Sequence, residues 1–350
     1  AGIKAQTIAS FVLANERFIG ERDTPRYEAA GEKLAGAMLL VDETSMVSLP
    51  MMARVLDAVR PQARLVLVGD PDQLASVEAG AVLGDLTRAE GHPEPALDAA
   101  LDAAGLPTGV VNGVVTLEHV WRFDGTIAAF ARAVQSGDAD DALALLHRGA
   151  DDLTLDEPDA VDGLRADVLA AGSALAEAAA AGRAEEALAA LEQHRVLCAH
   201  RRGPFGVTRF AAEVDRWLAP TRGADPWYPG RAVLVTANDY DTGLFNGDTG
   251  VVVATADGPR VAFARGGPPT FYPPSRLGEV AGVHVMTVHR AQGSQVRRVA
   301  VVLPPPESPL LTRELLYTAV TRAREHVRIL GTPESVRTAV ERPVARASGL

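Results

Sequence analysis

Two apolar runs, Ala37-Met38-Leu39-Leu40-Val41 and Leu65-Val66-Leu67-Val68, each stop abruptly at polar residues and are followed by a helical pattern. Strand–helix alternation of this kind predicts a mostly parallel sheet covered by helices. The pattern returns near the other end of the chain, at residues 283–288, 299–303 and 327–330. In such sheets ligands sit beyond the carboxyl ends of the strands. There the chain places its polar residues: Asp42 and Glu43 after the first run, Gly69, Asp70 and Gln73 after the second.

Between these sheet signals the chain changes character twice. Residues 126–193 read as helices, Ala-rich over 174–190, punctuated by Gly172 and Gly182 and linked by an acidic connection at 151–162. No heptad is sustained, so short packed helices are expected rather than a coiled coil. Residues 226–280 are β-rich, with runs at 231–236 and 250–256 joined through Asn246-Gly247-Asp248, then shorter strands at 260–264 and 270–272. Short strands with such turn residues predict a small barrel inserted in the second domain. A final helix is expected over 312–324.

The 350 residues suffice for two domains and a small third. A hydrophobic share of 47% with 23% charged residues excludes a disordered chain. No stretch approaches about 18 uninterrupted apolar residues, and the N-terminus lacks a basic-then-apolar signal pattern. No membrane association and a cytoplasmic location are therefore expected. Cys198 is the only cysteine, which excludes an intrachain disulfide and any cysteine-rich metal site. It falls in an apolar run and is expected in the core. The net charge of −11 argues against nucleic-acid binding through bulk positive charge. A narrow channel lined by a few arginines and backbone amides remains compatible with it. The chain begins Ala1-Gly2, without an initiator Met, and is expected to be the C-terminal part of a longer protein.

A strand that ends in an Asp-Glu pair places one carboxylate to hold Mg²⁺ and the next to orient a water. Taken alone, such a pair reads equally as a solvated strand end. Gln73, in the tight turn Gly69-Asp70-Pro71-Asp72-Gln73, adds an amide that can both donate and accept toward a phosphate or an attacking water. Tyr317-Thr318-Ala319-Val320-Thr321-Arg322-Ala323-Arg324 offers arginines from far along the chain. Any one of them, taken singly, reads as a surface salt bridge. Gly203-Pro204-Phe205-Gly206-Val207 precedes a helix whose first amides can face a phosphate; a plain turn is the equal alternative. The phosphate cradle is missing. No Gly-x-x-x-x-Gly-Lys-[Ser/Thr] occurs, and the only lysines are Lys4 and Lys33.

In this order the segments resemble the motifs of superfamily-one DNA helicases. Val41-Asp42-Glu43-Thr44-Ser45-Met46 resembles motif II, and Leu65 through Leu74 resembles motif III. Ala75-Ser76-Val77-Glu78-Ala79-Gly80-Ala81-Val82-Leu83 narrows the resemblance to the RecD-type helicases, the alpha subunit of exonuclease V. Val120-Trp121-Arg122-Phe123 resembles motif IV, Met286-Thr287-Val288-His289-Arg290-Ala291-Gln292-Gly293-Ser294-Gln295 motif V, and residues 316–324 motif VI. Trp227-Tyr228-Pro229-Gly230 and Phe245-Asn246-Gly247-Asp248-Thr249-Gly250 resemble their SH3-like domain 2B. The similarity runs from about residue 37 to the end of the chain; motif I is absent.

The resemblance implies an α/β protein with two RecA-like parallel-sheet domains, the first truncated, and an SH3-like insertion in the second. Residues 1–118 would form the first domain, 119–225 and 281–350 the second, and 226–280 the insertion. It further implies ATP with Mg²⁺ on Asp42, Glu43 activating water, Gln73 sensing it, and Arg122 and Arg322 completing the charge. Gly69, Asp70 and Gln295 would line the nucleotide, while Thr287, His289, Gly206 and Val207 would meet DNA. The implied partners are single-stranded DNA, duplex ends and RecB- and RecC-like subunits of a recombinational-repair nuclease. Without motif I, the chain alone is expected to be inactive. Two rivals stand beside this reading: the helicase portion of a conjugative relaxase, and a non-hydrolysing DNA-binding or assembly module.

Overall fold

Strand β1 (Met38–Val41) pairs in parallel with β2 (Arg64–Leu67), Leu39 opposite Leu65 and Val41 opposite Leu67. Side chains alternate along a strand, so these four share one face. Against it α1 (Leu49–Ala58) packs Met52, Val55 and Ala58. The helix starts where its sequence allows: the Ser48 side chain accepts from the Met51 amide, and Pro50 lies in the first turn. The other face of β1 carries Met38 and Leu40, 63% and 54% exposed. Among the described residues this sheet is thus covered by a helix on one face. Helices α2 (Val82–Arg88) and α3 (Pro95–Ala103) follow.

The computed structural model describes residues 8, 38–59, 63–76, 80–91, 94–106, 108–117, 125–221 and 225–344. It divides into two units, Ala1–His119 with Ala345–Leu350, and Val120–Val344.

The second unit is built on a five-stranded parallel sheet. It contains β3 (Leu153–Asp156), β4 (His194–Cys198), β10 (Val285–Thr287), β11 (Val296–Val302) and β12 (Ala323–Leu330), in the order β10-β4-β11-β12-β3. Helices α4 (Gly125–Ser136), α5 (Ala139–His147), α9 (Arg313–Val320) and α10 (Pro333–Glu341) form one layer. Helices α6 (Asp162–Ala180) and α8 (Val207–Trp217) bury Leu164, Val168, Phe210, Val214 and Trp217 against Val196, Cys198, Val285, Ala300 and Val302. Cys198 is in the core, as its apolar run predicts, and burial pushes its thiol up to about 12. Trp217 is core as well.

Three expectations change here. The acidic connection contains the edge strand β3, whose Leu153 is buried and whose other residues are half-exposed; so short an amphipathic run carries little signal. Helix α9 ends at Val320, and Ala323 already pairs with Val296 of β11, so neither Arg322 nor Arg324 is helical. The Ala-rich stretch is α6 and then α7 (Ala184–Leu191), separated at Gly182 with φ +72° as expected, but Gly172 lies buried within α6 and does not break it.

Residues 226–280 form a separate five-stranded antiparallel sheet. Its strands are β5 (Ala232–Val235), β6 (Thr249–Val253), β7 (Arg260–Phe263), β8 (Thr270–Tyr272) and β9 (Val280–Ala281), in the order β8-β7-β6-β5-β9. Val233, Leu244, Val252, Val261 and Phe263 fill its core. Gly247, at φ +104°, makes the turn into β6 that an L side chain would strain. The sheet is fastened to α6: the Ala254 amide donates to Ala179 O at 2.9 Å. Gly230 approaches so closely that a Cβ there would lie 3.0 Å from Ala176 Cα.

A polar network ties α6 to the central strands. Asp167 accepts from Arg328 Nε at 2.9 Å and pairs with Arg298 at 3.1 Å, and Arg328 also pairs with Asp156. Beside it lies buried His194, whose imidazole is pushed down to about 3, chiefly by burial, with Asp167 opposing.

Candidate functional site

In the first unit the strand-end carboxylates sit on a turn fixed by its own hydrogen bonds. Glu43 is left-handed (φ 51°, ψ 41°), a conformation costing about 1–3 kcal/mol for a non-glycine residue. Its surroundings hold it there. The Glu43 amide donates to Asp42 Oδ1 at 2.8 Å, and Glu43 O accepts from the Met46 amide at 2.9 Å. Buried Thr44 donates its amide to Val68 O and its hydroxyl to Val41 O, both at 2.9 Å. The result leaves Asp42 exposed and Glu43 half-buried beyond the end of β1.

The turn after β2 is organised by Asp70. Its carboxylate accepts from the Asp72 amide at 3.0 Å and from Gln73 Nε2 at 3.1 Å, and Gln73 is only 6% exposed. The two turns are joined. The Ser76 amide donates to Ser45 O at 3.2 Å, and a Cβ on Gly69 would lie 2.8 Å from Leu83 Cδ2 and 3.0 Å from Thr44 N. The two turns therefore approach each other closely at Gly69, leaving little room for a side chain there. The structure brings Asp42, Glu43, Gly69, Asp70 and Gln73 into one pair of linked turns.

Among the described residues no group of three or more His, Cys, Asp or Glu side chains is placed to hold a metal ion. A single exposed carboxylate such as Asp42 does suit Mg²⁺, which keeps most of its waters and takes one or two carboxylates together with substrate phosphates.

In the second unit the carboxyl ends of β10 and β4 lie side by side, Thr287 opposite Cys198. Thr287 Oγ1 accepts from the Arg290 amide at 3.3 Å and so starts the short turn that holds half-buried His289. Arg201, Arg202 and Arg290 are exposed in the segments that follow these two strands. Sequence reasoning singled out none of the three as a site; the readable signal was an Arg-Arg pair just past a wholly apolar strand end.

Gly206 and Val207 behave otherwise than expected. The Gly206 amide donates to Gly203 O at 3.1 Å, Val207 to His200 O at 3.0 Å and Thr208 to Arg201 O at 3.0 Å. The first amides of α8 are thus bonded within the chain, not presented to a phosphate. Gly206 is there for space, since a Cβ would lie 2.5 Å from Arg202 O.

Arg322 is buried, 2% exposed, just after α9. Its guanidinium donates to Thr318 O at 3.1 Å, Ser294 O at 3.3 Å and Thr321 Oγ1 at 3.3 Å. In this structure it braces its own turn; the sequence predicts an arginine pointing outward from a helix. Arg324 is exposed on β12, where its Nε donates to Gln295 Oε1 at 3.4 Å. Arg122 lies outside the described residues, as do Trp121, Lys4 and Lys33.

Residues 1–102 match the family described as an AAA domain, and residues 282–330 match the UvrD-like helicase C-terminal domain. The first match reaches the N-terminal 36 residues, where the motif resemblance did not extend. Parallel sheets with polar turns at their carboxyl ends, in segments that match these two domains, define an α/β protein of the kind those domains describe. Within that class the chain is 50% identical over 321 residues to the RecBCD enzyme subunit RecD of Mycolicibacterium smegmatis, covering 91% of this chain and 54% of the relative. It is 31% identical over 317 residues to the ATP-dependent RecD2 DNA helicase of Deinococcus radiodurans, covering 87% of this chain and 38% of the relative. The chain is thus similar to RecD proteins over nearly its whole length. It spans about half the length of the RecD relatives it matches. Its fold is also similar to Bacteroides Pif1 bound to single-stranded DNA, at 14% identity and a TM-score of 0.48, covering 94% of this chain and 80% of that one.

Proposed function

We propose that this chain carries the catalytic-carboxylate half and the second motor domain of an ATP-dependent DNA helicase subunit in a RecBCD-type repair assembly. The observation that carries the reading is the Asp42–Glu43 turn, held in a strained backbone at a strand end and linked to the Gln73 turn. The names of the relatives support the rest. Bound ATP with Mg²⁺ would supply the phosphoryl chemistry. Asp42 would hold the cation, half-buried Glu43 would take the proton of the attacking water, and Gln73 would orient that water through its amide. Arg322 and Arg122 would supply positive charge. Residues 1–118 would form the first RecA-like domain, 119–225 and 281–350 the second, and 226–280 an SH3-like domain. Thr287 and His289, flanked by Arg201, Arg202 and Arg290, would line a path for single-stranded DNA phosphates in a chain otherwise acidic. RecB- and RecC-like subunits would complete the assembly, in the cytoplasm.

No Gly-rich lysine loop occurs in the 350 residues, so nothing here cradles the β- and γ-phosphates. The 350-residue chain alone should therefore hydrolyse ATP negligibly, while the full-length protein with its companion subunits should show DNA-stimulated hydrolysis. Parallel ATPase assays on the two check this. DNA-stimulated turnover by the isolated chain, abolished by Glu43→Gln, would overturn the division; none from the full-length assembly would overturn the motor reading.

A further inference from the structure

Four described side chains bury a polar atom that has no hydrogen-bond partner, and one of them is Ser45, two residues beyond Glu43. Ser45 is 6% exposed. An orphaned buried hydroxyl costs free energy that alanine at the same place would not. Its position is also particular. The Ser45 carbonyl accepts from the Ser76 amide at 3.2 Å, and its own amide lies 3.1 Å from where a Gly69 Cβ would be. Ser45 thus abuts both ends of the 69–76 turn while belonging to the carboxylate turn. Across that junction the Gln73 amide is tied to Asp70 rather than directed at a ligand. An amide keeps a carbonyl and a second N–H besides the one bonded to Asp70, so Gln73 can meet a phosphate or a water with that bond intact, from a turn that abuts Ser45.

We propose that Ser45 is a positioning residue of the nucleotide site: its hydroxyl, orphaned here, takes a partner from the 70–76 turn when Mg²⁺-nucleotide is bound, locking Gln73 to the Glu43 turn. Ser45 touches no reacting atom in this scheme; it acts through Gln73. The inference rests on the nucleotide reading above.

The test is thermal unfolding of the full-length protein, with and without AMP-PNP and Mg²⁺, in the wild type, Ser45→Ala, Gln73→Met and the double variant. Without nucleotide, Ser45→Ala should melt about 1–3 °C higher than wild type, because the orphan is gone. The melting shift induced by AMP-PNP with Mg²⁺ should shrink by half or more. Ser45→Ala and Gln73→Met should reduce that shift non-additively, as groups in one contact do. A lower melting point for nucleotide-free Ser45→Ala, an unchanged nucleotide shift, or strict additivity would each overturn the role of Ser45 alone. A wild-type protein that gives no shift with AMP-PNP and Mg²⁺ would sink the nucleotide site itself, and this inference with it.

Discussion

The two units hold their candidate functional groups in opposite ways. In the first, Asp42 and Glu43 stand on a turn beyond a strand pair whose far face shows Met38 and Leu40 to solvent, and the turn is fixed by backbone bonds, the Asp42 carboxylate and the Thr44 hydroxyl. In the second, Arg322 is buried between α9 and β12 with its guanidinium bonded to Thr318 O, Ser294 O and Thr321 Oγ1. Stability and chemistry are therefore separable at the carboxylate turn and entangled at the arginine. A substitution that keeps shape should silence the first with little loss of fold, whereas no substitution at the second can avoid the fold.

The largest effect expected from that contrast is at Glu43. In the full-length protein, Glu43→Gln keeps the side chain's shape and removes the base, so DNA-stimulated kcat should fall by about 10²–10⁴ with KM nearly unchanged. The melting temperature should stay within roughly 2 °C of wild type. Steady-state ATPase kinetics paired with a melt decide it, and a matching collapse of stability would erase the contrast.

Arg322→Lys comes next. One ammonium cannot replace a planar fork reaching three acceptors, and each buried acceptor left unmet costs about 1–3 kcal/mol. The variant should melt several degrees lower while also losing ATPase. Preserved stability with lost turnover would mean that Arg322 leaves its buried bonds to work elsewhere, and the two sites would be alike after all.

The buried sheet of the second unit should also feel acid. His194 titrates at about 3 when folded, against about 6.5 unfolded. Between these values the unfolded state binds the extra proton, so stability is intact above about pH 6.5 and is lost as the pH falls toward 3. At pH 5 the loss should be roughly 2 kcal/mol, and His194→Leu should flatten the melting-temperature profile between pH 7 and 5. A wild-type profile just as flat would show that His194 does not report on this core. The smallest effect is predicted for Arg324→Lys, on the exposed side of β12, where less than about 0.5 kcal/mol is at stake. A melt that falls as far as that of Arg322→Lys would contradict the difference in burial.

Strand ends were legible where burial had left a long signature. Val296–Val302 and His194–Cys198 lie inside a covered sheet, and apolar runs had marked most of each. The Asp42-Glu43 pair was legible because it interrupts such a run. β3 was not, since an edge strand of four residues needs only one buried side chain, Leu153. The end of α9 was hidden because Thr321-Arg322-Ala323-Arg324 is as compatible with a helix as with a turn; the pairing of Ala323 with Val296, a contact 27 positions apart, decides it. The wrong expectation for Gly206 and Val207 has the same source. Whether a helix's first amides are free depends on where a preceding loop folds back, and His200 and Arg201 happen to return there.

The attachment of the small antiparallel sheet makes α6 a linking element. Gly230 and the Ala254–Ala179 hydrogen bond seat the sheet on the C-terminal half of this 19-residue helix, while Asp167, nearer its start, grips Arg298 and Arg328 of the central strands. The sheet also packs on α7 and its strand β9 leads directly into β10, so α6 is one of several links between it and the central strands. At the carboxyl end of β11 the chain continues toward α9, and at the amino end of β12 sits Arg322. The small sheet is thus tied by several links to the parallel sheet in which the strand after the buried arginine lies.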